Sequence, residues 1–258
     1  MNNRRFFNIL LVLMLLAVPY FAAADDALKL SENIRQTAKD YGFKIIIKPV
    51  LPSGLTGRVM PAEQAEAELA RFFSALDDLG IKFVRKSGLK NVIIVRDLKN
   101  SGKPIGGHTR NDCIYLKKGF SKKTVYHEMF HVFDNKREDK AWQRLNHRDF
   151  RYRDISYPER PLPEKKQKDL RKHYRKVQKN FDADFASSYA QTKEREDRAE
   201  TFARMVSDGK SFTARAVKSP VLYAKMQYII KMTGKRSLMD EDYWRRKLGD
   251  KAFPDSKK

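Results

Sequence analysis

Two histidines four residues apart, in the stretch TVYHEMFHVFDN at residues 124–135, restrict the possible structures of this chain more than any other feature. Residues i and i+4 of an α-helix lie one above the other on the same face. A helix over residues 121–135 therefore presents His127 and His131 side by side, as a tetrahedral zinc ion requires of its first two protein ligands. The apolar residues around them indicate a core helix, in which two histidines without polar partners would be unfavourable.

Glu128 follows the first histidine and is turned about 100° from it around the helix. Its carboxylate is expected beside a bound metal ion rather than on it, where it can take a proton from metal-bound water. The alternative is a core helix whose histidines are satisfied by ordinary hydrogen bonds. The spacing favours the first interpretation, with one zinc ion and Glu128 as the general base.

A catalytic zinc site needs a third protein ligand and an open position for water. The spacing HExxHxxGxxH, which supplies a third histidine in one class of zinc peptidases, is absent from the sequence. The stretch KEREDRAETFARM instead offers Glu196 and Glu200, one helical turn apart and continuous with a predicted apolar stripe. That stripe consists of Ala199, Phe202, Ala203 and Val206. Either glutamate could meet a cation there.

The rest of the chain predicts an α+β fold, because strands come first and helices dominate later. Predicted helices lie at residues 25–42, 61–80, 121–135, 193–209 and 219–234, with another from residue 163 onward. Predicted strands lie at residues 43–50, 81–84, 91–98 and 111–119, with a loop at 99–107 and a polar tail at the end. Residues from about 136 to 180 are strongly basic and are predicted to form a surface excursion within a single domain over residues 25–258.

The N-terminus has the layout of a secretory signal peptide. MNNRR is followed by the apolar run FFNILLVLMLLAVPYF and by AAA before DD, which predicts cleavage between Ala24 and Asp25. An uncleaved anchor is the alternative, although the apolar run is short of the roughly 20 residues of a spanning helix. We expect an exported protein, periplasmic or secreted, with no transmembrane segment after cleavage. Cys113, the single cysteine, leaves no internal disulfide.

The charge of the chain limits its partners. There are 54 Lys and Arg against 32 Asp and Glu, a formal net charge of +22. Such a balance favours adsorption to polyanions. For an exported protein, anionic lipid head groups or envelope polymers are better candidates than nucleic acid, which we do not expect to be a partner. A basic surface with no dedicated partner is the alternative.

Two stretches together resemble a known family. TVYHEMFHVFD followed by SSYAQTKEREDRAETFARM is similar to the zinc peptidases that resemble the anthrax lethal factor catalytic domain, in which a Tyr and a helix with the pattern E-x-x-A-E-x-F follow the HExxH helix. The resemblance covers roughly residues 106–206, without the basic excursion. It implies a zincin-like metallopeptidase domain of the gluzincin type, with a small mixed sheet, the HExxH helix and a mainly helical C-terminal half.

The resemblance also implies roles for individual residues. His127, His131 and Glu196 would be the zinc ligands. Glu200 would orient a metal-bound histidine, as carboxylates behind metal ligands commonly do. Tyr189 would donate a hydrogen bond to the oxyanion that develops on the peptide carbonyl.

Two further predictions concern the surroundings of the metal. An extended substrate is expected to pair through its main chain with an exposed strand beside the metal. The stretch NDCIYLKKG, similar to an edge strand of the family, places Ile114, Tyr115 and Leu116 in that position. Asp134, three residues after His131, is a candidate for orienting a ligand, although a surface acid at the helix end is equally compatible.

These features together predict an exported zinc-dependent endopeptidase that acts on a protein or peptide. Two alternatives stay open. One is a basic envelope-binding protein with a structural or vestigial zinc site. The other is a zinc amidase acting on cell-wall amides, since activated water at zinc attacks any suitably polarised amide.

Overall fold

The computed structural model describes residues 30–134, 141–153, 163–235 and 238–253. The predicted signal peptide and the predicted helix start near Asp25 lie outside these residues. The helices are α1 Glu32–Tyr41, α2 Ala62–Leu79, α3 Ile81–Ser87, α4 Lys122–Asp134, α5 Glu164–Gln178, α6 Glu194–Ala216, α7 Pro220–Gly234 and α8 Glu241–Leu248. The strands are β1 Lys44–Ile45, β2 Leu55–Thr56, β3 Asn91–Val95, β4 Lys99–Asn100, β5 Lys103–Pro104, β6 Gly107–Arg110 and β7 Cys113–Lys117. The predicted α+β class is confirmed.

The larger sheet has the strand order β1-β3-β7-β6. Its first three strands are parallel, and β6 pairs antiparallel with β7, with His108 opposite Tyr115. A two-residue turn joins β6 to β7, and Asn111 adopts there the positive φ of 58° that such hairpin turns require. Among the described strands, β6 is therefore the one at this edge of the sheet.

The prediction that Ile114, Tyr115 and Leu116 form an exposed strand is wrong. These residues lie in β7, which is hydrogen-bonded to β3 on one side and to β6 on the other. Their side chains are buried. The stretch is apolar because it is in the middle of the sheet, and an apolar run does not distinguish an inner strand from an edge.

Residues 81–84, predicted as a strand, begin helix α3. Gly80 ends α2 with a φ of 82°, and the chain starts a new helix directly after it. Phe83 is fully buried, with its ring 5.1 Å from that of Phe133 and 5.5 Å from that of Phe202. Packing of this aromatic cluster outweighs the strand propensity of so short a run.

Two more predicted irregular segments are structured. Residues 99–107 include the short strands β4 and β5, which pair around Ser101 and Gly102. The predicted polar tail contains α8, in which Trp244 is fully buried and donates from Nε1 to Thr233 Oγ1 at 3.0 Å. Trp244 and Leu248 are the buried residues of an otherwise charged helix, and a charge pattern does not reveal their contribution.

The basic excursion is only partly a surface feature. Its predicted helix is confirmed as α5, whereas Trp142 and Phe150 are buried. The Trp142 ring packs 5.4 Å from that of Tyr228 on α7. The segment at 141–153 is therefore held against the helical half of the molecule by its aromatic side chains.

Helices α4 and α6 pack against each other in the centre of the molecule. The predicted stripe on α6 is confirmed as buried, and the Phe202 ring lies 4.8 Å from that of Phe130 on α4. On its other side α4 contacts β6. The site residues on α4 are thus enclosed between the sheet edge and α6. None of the described helices has the length and hydropathy needed to cross a membrane.

Candidate metal centre

Three side chains converge between α4 and α6. His127 Nε2 and His131 Nε2 are 3.0 Å apart, and Glu196 Oε2 lies 3.1 Å and 3.2 Å from them respectively. Zinc–ligand bonds of about 2.0–2.1 Å place two ligand atoms of a tetrahedral site about 3.3 Å apart. Two imidazole nitrogens and one carboxylate oxygen at this spacing therefore fit a single zinc ion, with one position left open.

Helix packing explains how residues 65 or more positions apart meet. The two histidines come from one face of α4, as their spacing predicts. Glu196 lies in the first turn of α6, and Ala199, one turn further, is fully buried. A small residue in the contact allows the two helices to approach closely.

Glu200 is the carboxylate behind His127. Its Oε1 lies 3.0 Å from His127 Nδ1, and its Oε2 accepts a hydrogen bond of 2.7 Å from Ser187 Oγ. Because Nδ1 is occupied by Glu200, Nε2 is the ring nitrogen that faces the other two ligand atoms. The geometry agrees with the orienting role implied for Glu200. Ser187 was not predicted, since a serine in a loop carries no distinguishing sequence signal.

Asp134 does not have the predicted position. Its Oδ2 accepts hydrogen bonds from Arg198 Nε at 3.0 Å and from the same guanidinium's terminal nitrogen at 2.9 Å. Arg198 also pairs with Glu194. The pairing of Asp134 with Arg198 contradicts the prediction that this acid orients a metal ligand. It instead links the C-terminal end of α4 to the start of α6.

The hydrogen-bond partner of Nδ1 of His131 is Arg195. Arg195 Nε lies 3.0 Å from His131 Nδ1 and donates to it. Arg195 directly precedes Glu196 in the first turn of α6. It was missed because a single arginine in a chain with 54 basic residues has no distinguishing signal.

Glu128 is buried against the edge strand. Its Oε2 accepts a hydrogen bond of 2.7 Å from Thr109 Oγ1. A Cβ atom on Gly107 would lie 2.8 Å from Glu128 Oε1 and 2.9 Å from Thr124 Cγ2. Only glycine therefore allows β6 to lie this close to Glu128 without displacing it. Burial raises the pKa of the Glu128 carboxyl.

Tyr189 lies in the turn that leads into α6. Its side chain is 52% exposed, and its ring centroid is 6.0 Å from that of His127. Partial burial, followed by the negative charges of Glu196 and Glu128, raises the pKa of its phenol. The phenol therefore stays protonated at neutral pH beside the candidate metal site. Its role in catalysis stays a prediction.

The close approach of His127, His131 and Glu196 shifts the pKa of each of them. Burial alone would lower the pKa of His127, but hydrogen bonds with Glu196 and Glu200 raise it to about 10. Burial lowers the pKa of His131 to about 4 despite the neighbouring Glu196. The two histidines together hold the pKa of Glu196 well below its usual range, against the effect of burial. Glu196 is thus an anion ready to bind a cation.

Comparison with known proteins bears on the fold and on the family of the chain. The crystal structure of a "putative zinc-binding metallo-peptidase" from Bacteroides caccae is similar, with a TM-score of 0.52 and 14% identity over 87% of this chain and 96% of that one. At this identity the similarity concerns the fold alone. No protein of curated function matches the chain. Residues 95–247, more than half of the sequence, match one family model, and the chain therefore belongs to the family described as "Putative zinc-binding metallo-peptidase".

Proposed function

We propose that the protein is a zinc-dependent endopeptidase in which His127, His131 and Glu196 hold one zinc ion. The observation that carries this proposal is the convergence of their three ligand atoms beside the buried carboxylate of Glu128. A bound zinc ion would lower the pKa of a coordinated water and polarise the substrate carbonyl. The family membership supports a peptidase acting on proteins or peptides.

The side chains of the chain itself perform the proton transfers. Glu128 takes the proton of the attacking water as general base and passes it to the leaving amine as general acid. Its raised pKa, which is due to burial, brings the carboxyl closer to the pH at which both steps are efficient. Tyr189 donates a hydrogen bond from its phenol to the carbonyl oxygen that becomes an oxyanion. Glu200 keeps the lone pair of His127 Nε2 available.

An extended substrate is proposed to pair with β6 instead of β7. β6 is paired with β7 on one side and lies at the edge of the described sheet. Such an edge offers main-chain donors and acceptors to an added strand. Thr109 of β6 donates to Glu128, and the missing side chain of Gly107 leaves room for that carboxylate, so a substrate along this edge passes the general base.

We also propose a finer family assignment, to the gluzincins that resemble the lethal factor catalytic domain. Two histidines on one helix and a glutamate on a later helix are the ligand set of a gluzincin. The positions of Glu200 behind His127 and of Tyr189 beside it support the resemblance to the lethal factor catalytic unit. We further propose a single catalytic domain over residues 25–258, exported after removal of residues 1–24.

The enzyme is tested by metal content and cleavage together. Purified protein over residues 25–258 is expected to contain about one zinc per chain, and Glu196→Ala to lose it. Glu128→Gln is expected to keep zinc but lose at least about 100-fold in the rate of peptide cleavage. Asp208→Asn, which changes a partly exposed carboxylate paired with Arg204 on α6, is the matched control. Undiminished cleavage by Glu128→Gln, or wild-type protein that takes up no zinc, would contradict the proposal.

A second proposal concerns binding to an anionic envelope surface, and α5 supports it. Its lysines are exposed, and within the described chain none of them pairs with a carboxylate. They are Lys165, Lys166, Lys168, Lys172 and Lys176. Binding to vesicles with anionic lipid is expected to weaken steeply between low and physiological salt, and to weaken further when these five lysines are changed to glutamine. Binding that does not depend on salt would exclude this role.

A further inference from the structure

Arg195 contacts a candidate metal ligand directly, yet the proposed peptidase mechanism gives it no role. Its side chain is partly exposed at the start of α6, and its Nε donates to His131 Nδ1 at 3.0 Å. Among the described residues no carboxylate pairs with it. Arg198, one turn further on the same helix, is by contrast bound by Asp134 and Glu194.

The hydrogen bond of Arg195 is incompatible with metal ligation by the same histidine. A guanidinium only donates, so Nδ1 of His131 must be the bare nitrogen and Nε2 must carry the proton. A histidine that binds zinc through Nε2 needs its lone pair there, and its proton is then on Nδ1. Two N–H groups would face each other between Arg195 and His131. Ligation of a zinc ion through Nε2 of His131 would therefore cost Arg195 this hydrogen bond.

Charges of both signs lie on the side of Arg195 that faces the edge strand, because the carboxylates of Glu128 and Glu196 are close to the positive groups there. Burial, followed by the charges of Arg195 and Arg110, lowers the pKa of His108, so both guanidiniums lie near this β6 residue. The N-terminal end of α6 adds the positive end of a helix dipole. A substrate extended along β6 would therefore pass several positive groups, of which Arg195 is beside a metal ligand.

We propose that Arg195 selects substrates that carry a carboxylate, from an Asp or Glu side chain, close to the bond that is cut. A guanidinium released from a histidine and without a protein carboxylate presents two parallel donors, which match the two oxygens of a carboxylate. The proposal rests on the proposed peptidase function and deepens it by naming acidic peptides as the substrate class.

The rival explanation is that Arg195 only supports His131. The two explanations predict opposite changes in metal affinity. The observed hydrogen bond favours the form of His131 whose Nε2 carries a proton, and this form competes with ligation. Arg195→Gln is therefore expected to bind zinc at least as tightly as the wild type. A fall in zinc affinity of tenfold or more in a titration against a chromophoric chelator would overturn the proposal.

The substrate preference is tested with pairs of fluorogenic peptides that differ only by Asp against Asn, or Glu against Gln, at each position around the cut. Zinc-loaded wild type is expected to prefer the acidic member by about tenfold or more in kcat/KM at one or more positions. Arg195→Gln is expected to lose this preference and Arg195→Lys to keep part of it. Arg204→Gln is the matched control, since Arg204 lies on the same helix in an ion pair with Asp208. An acidic preference unchanged in Arg195→Gln would overturn the proposal.

A binding measurement tests the role of Arg195 separately from the proposed peptidase activity. Zinc-loaded Glu128→Gln is mixed with fluorescently labelled acidic and amide peptides, and anisotropy gives both dissociation constants without cleavage. Introducing Arg195→Gln into this Glu128→Gln variant is expected to raise the dissociation constant of the acidic peptide about tenfold. The dissociation constant of the amide peptide is expected to stay unchanged. Equal weakening of both peptides would overturn the role of Arg195. If wild type cleaves no peptide at all, the proposed peptidase function fails, whatever the binding result for Arg195.

Discussion

A fully buried ion pair beside the candidate metal centre offers a stringent test of how the fold is held together. Lys225 Nζ on α7 lies 2.9 Å from Asp197 Oδ2, and both side chains are entirely inaccessible to solvent. Asp197 directly follows the candidate ligand Glu196 on α6. Changing Lys225 to Met keeps a side chain of similar length but removes the positive charge.

The expected loss follows from the partners that remain. Trp142 Nε1 and Tyr152 OH donate to the same Oδ2 of Asp197, at 2.9 Å and 2.8 Å, but both are neutral. Removing one member of a buried ion pair leaves an uncompensated buried charge and costs about 3–5 kcal/mol. Lys225 also lies 3.4 Å above the Phe185 ring, a cation–π contact that methionine does not make. We therefore expect Lys225→Met to lose about 4 kcal/mol of unfolding free energy.

Urea denaturation followed by tryptophan fluorescence measures this change. A loss of about 4 kcal/mol corresponds to a midpoint lower by roughly 2 M urea, and to a melting temperature lower by roughly 10 °C for a domain of this size. Lys218→Met, an exposed lysine between α6 and α7, is the control and should change the free energy by less than about 0.5 kcal/mol.

The double variant Asp197→Asn with Lys225→Met isolates the charge. It leaves no buried charge at this position, so it is expected to be more stable than Lys225→Met alone by about 1–2 kcal/mol. A loss below 1 kcal/mol in Lys225→Met, or a double variant whose loss equals the sum of the single ones, would refute the reasoning. The pair would then be reached by solvent in spite of its burial.

Three further predictions follow from the same contacts. Metal-free protein should lose stability as the pH rises from about 6.5 through about 10, because the pKa of His127 is raised to about 10 in the folded chain. Urea denaturation with a chelator present measures this loss, and metal-free His127→Gln should not show it. Gly209→Ala should cost more than about 2 kcal/mol in thermal denaturation, because Gly209 has a φ of 47° and a Cβ atom there would lie 2.5 Å from the carbonyl oxygen of Lys247. Glu200→Ala should weaken zinc binding about 10–100-fold in a chelator competition, because Nδ1 of His127 loses its acceptor.

The local part of the candidate site was predictable from the sequence. His127, Glu128 and His131 owe their relative positions to helix geometry alone, and α4 forms where the apolar pattern predicts it. The stripe at Ala199 and Phe202 likewise predicted the buried face of α6. Each of these features depends on residues within two or three turns, so periodicity is sufficient to find them.

The errors concern contacts between distant segments. Residues 81–84 became a helix because Phe83 joins a ring cluster built by α4 and α6. The strand at Ile114–Leu116 was assigned to the edge because its apolar sequence does not record that β6 turns back and covers it. Asp134 was placed behind a histidine because its partner Arg198 is 64 residues away.

The sequence by itself determined a pair of histidines on one helix face with a glutamate beside them, a later helix with two acids that could face them, and a strongly basic composition. Only the tertiary structure gave the two acids different positions, with Glu196 Oε2 against both Nε2 atoms and Glu200 against Nδ1 of His127. Only it brought Thr109 to Glu128 and Arg195 to the second histidine. The physical reason is that helix periodicity defines which residues share a face, whereas the packing of α4 between the sheet edge and α6 determines what that face meets.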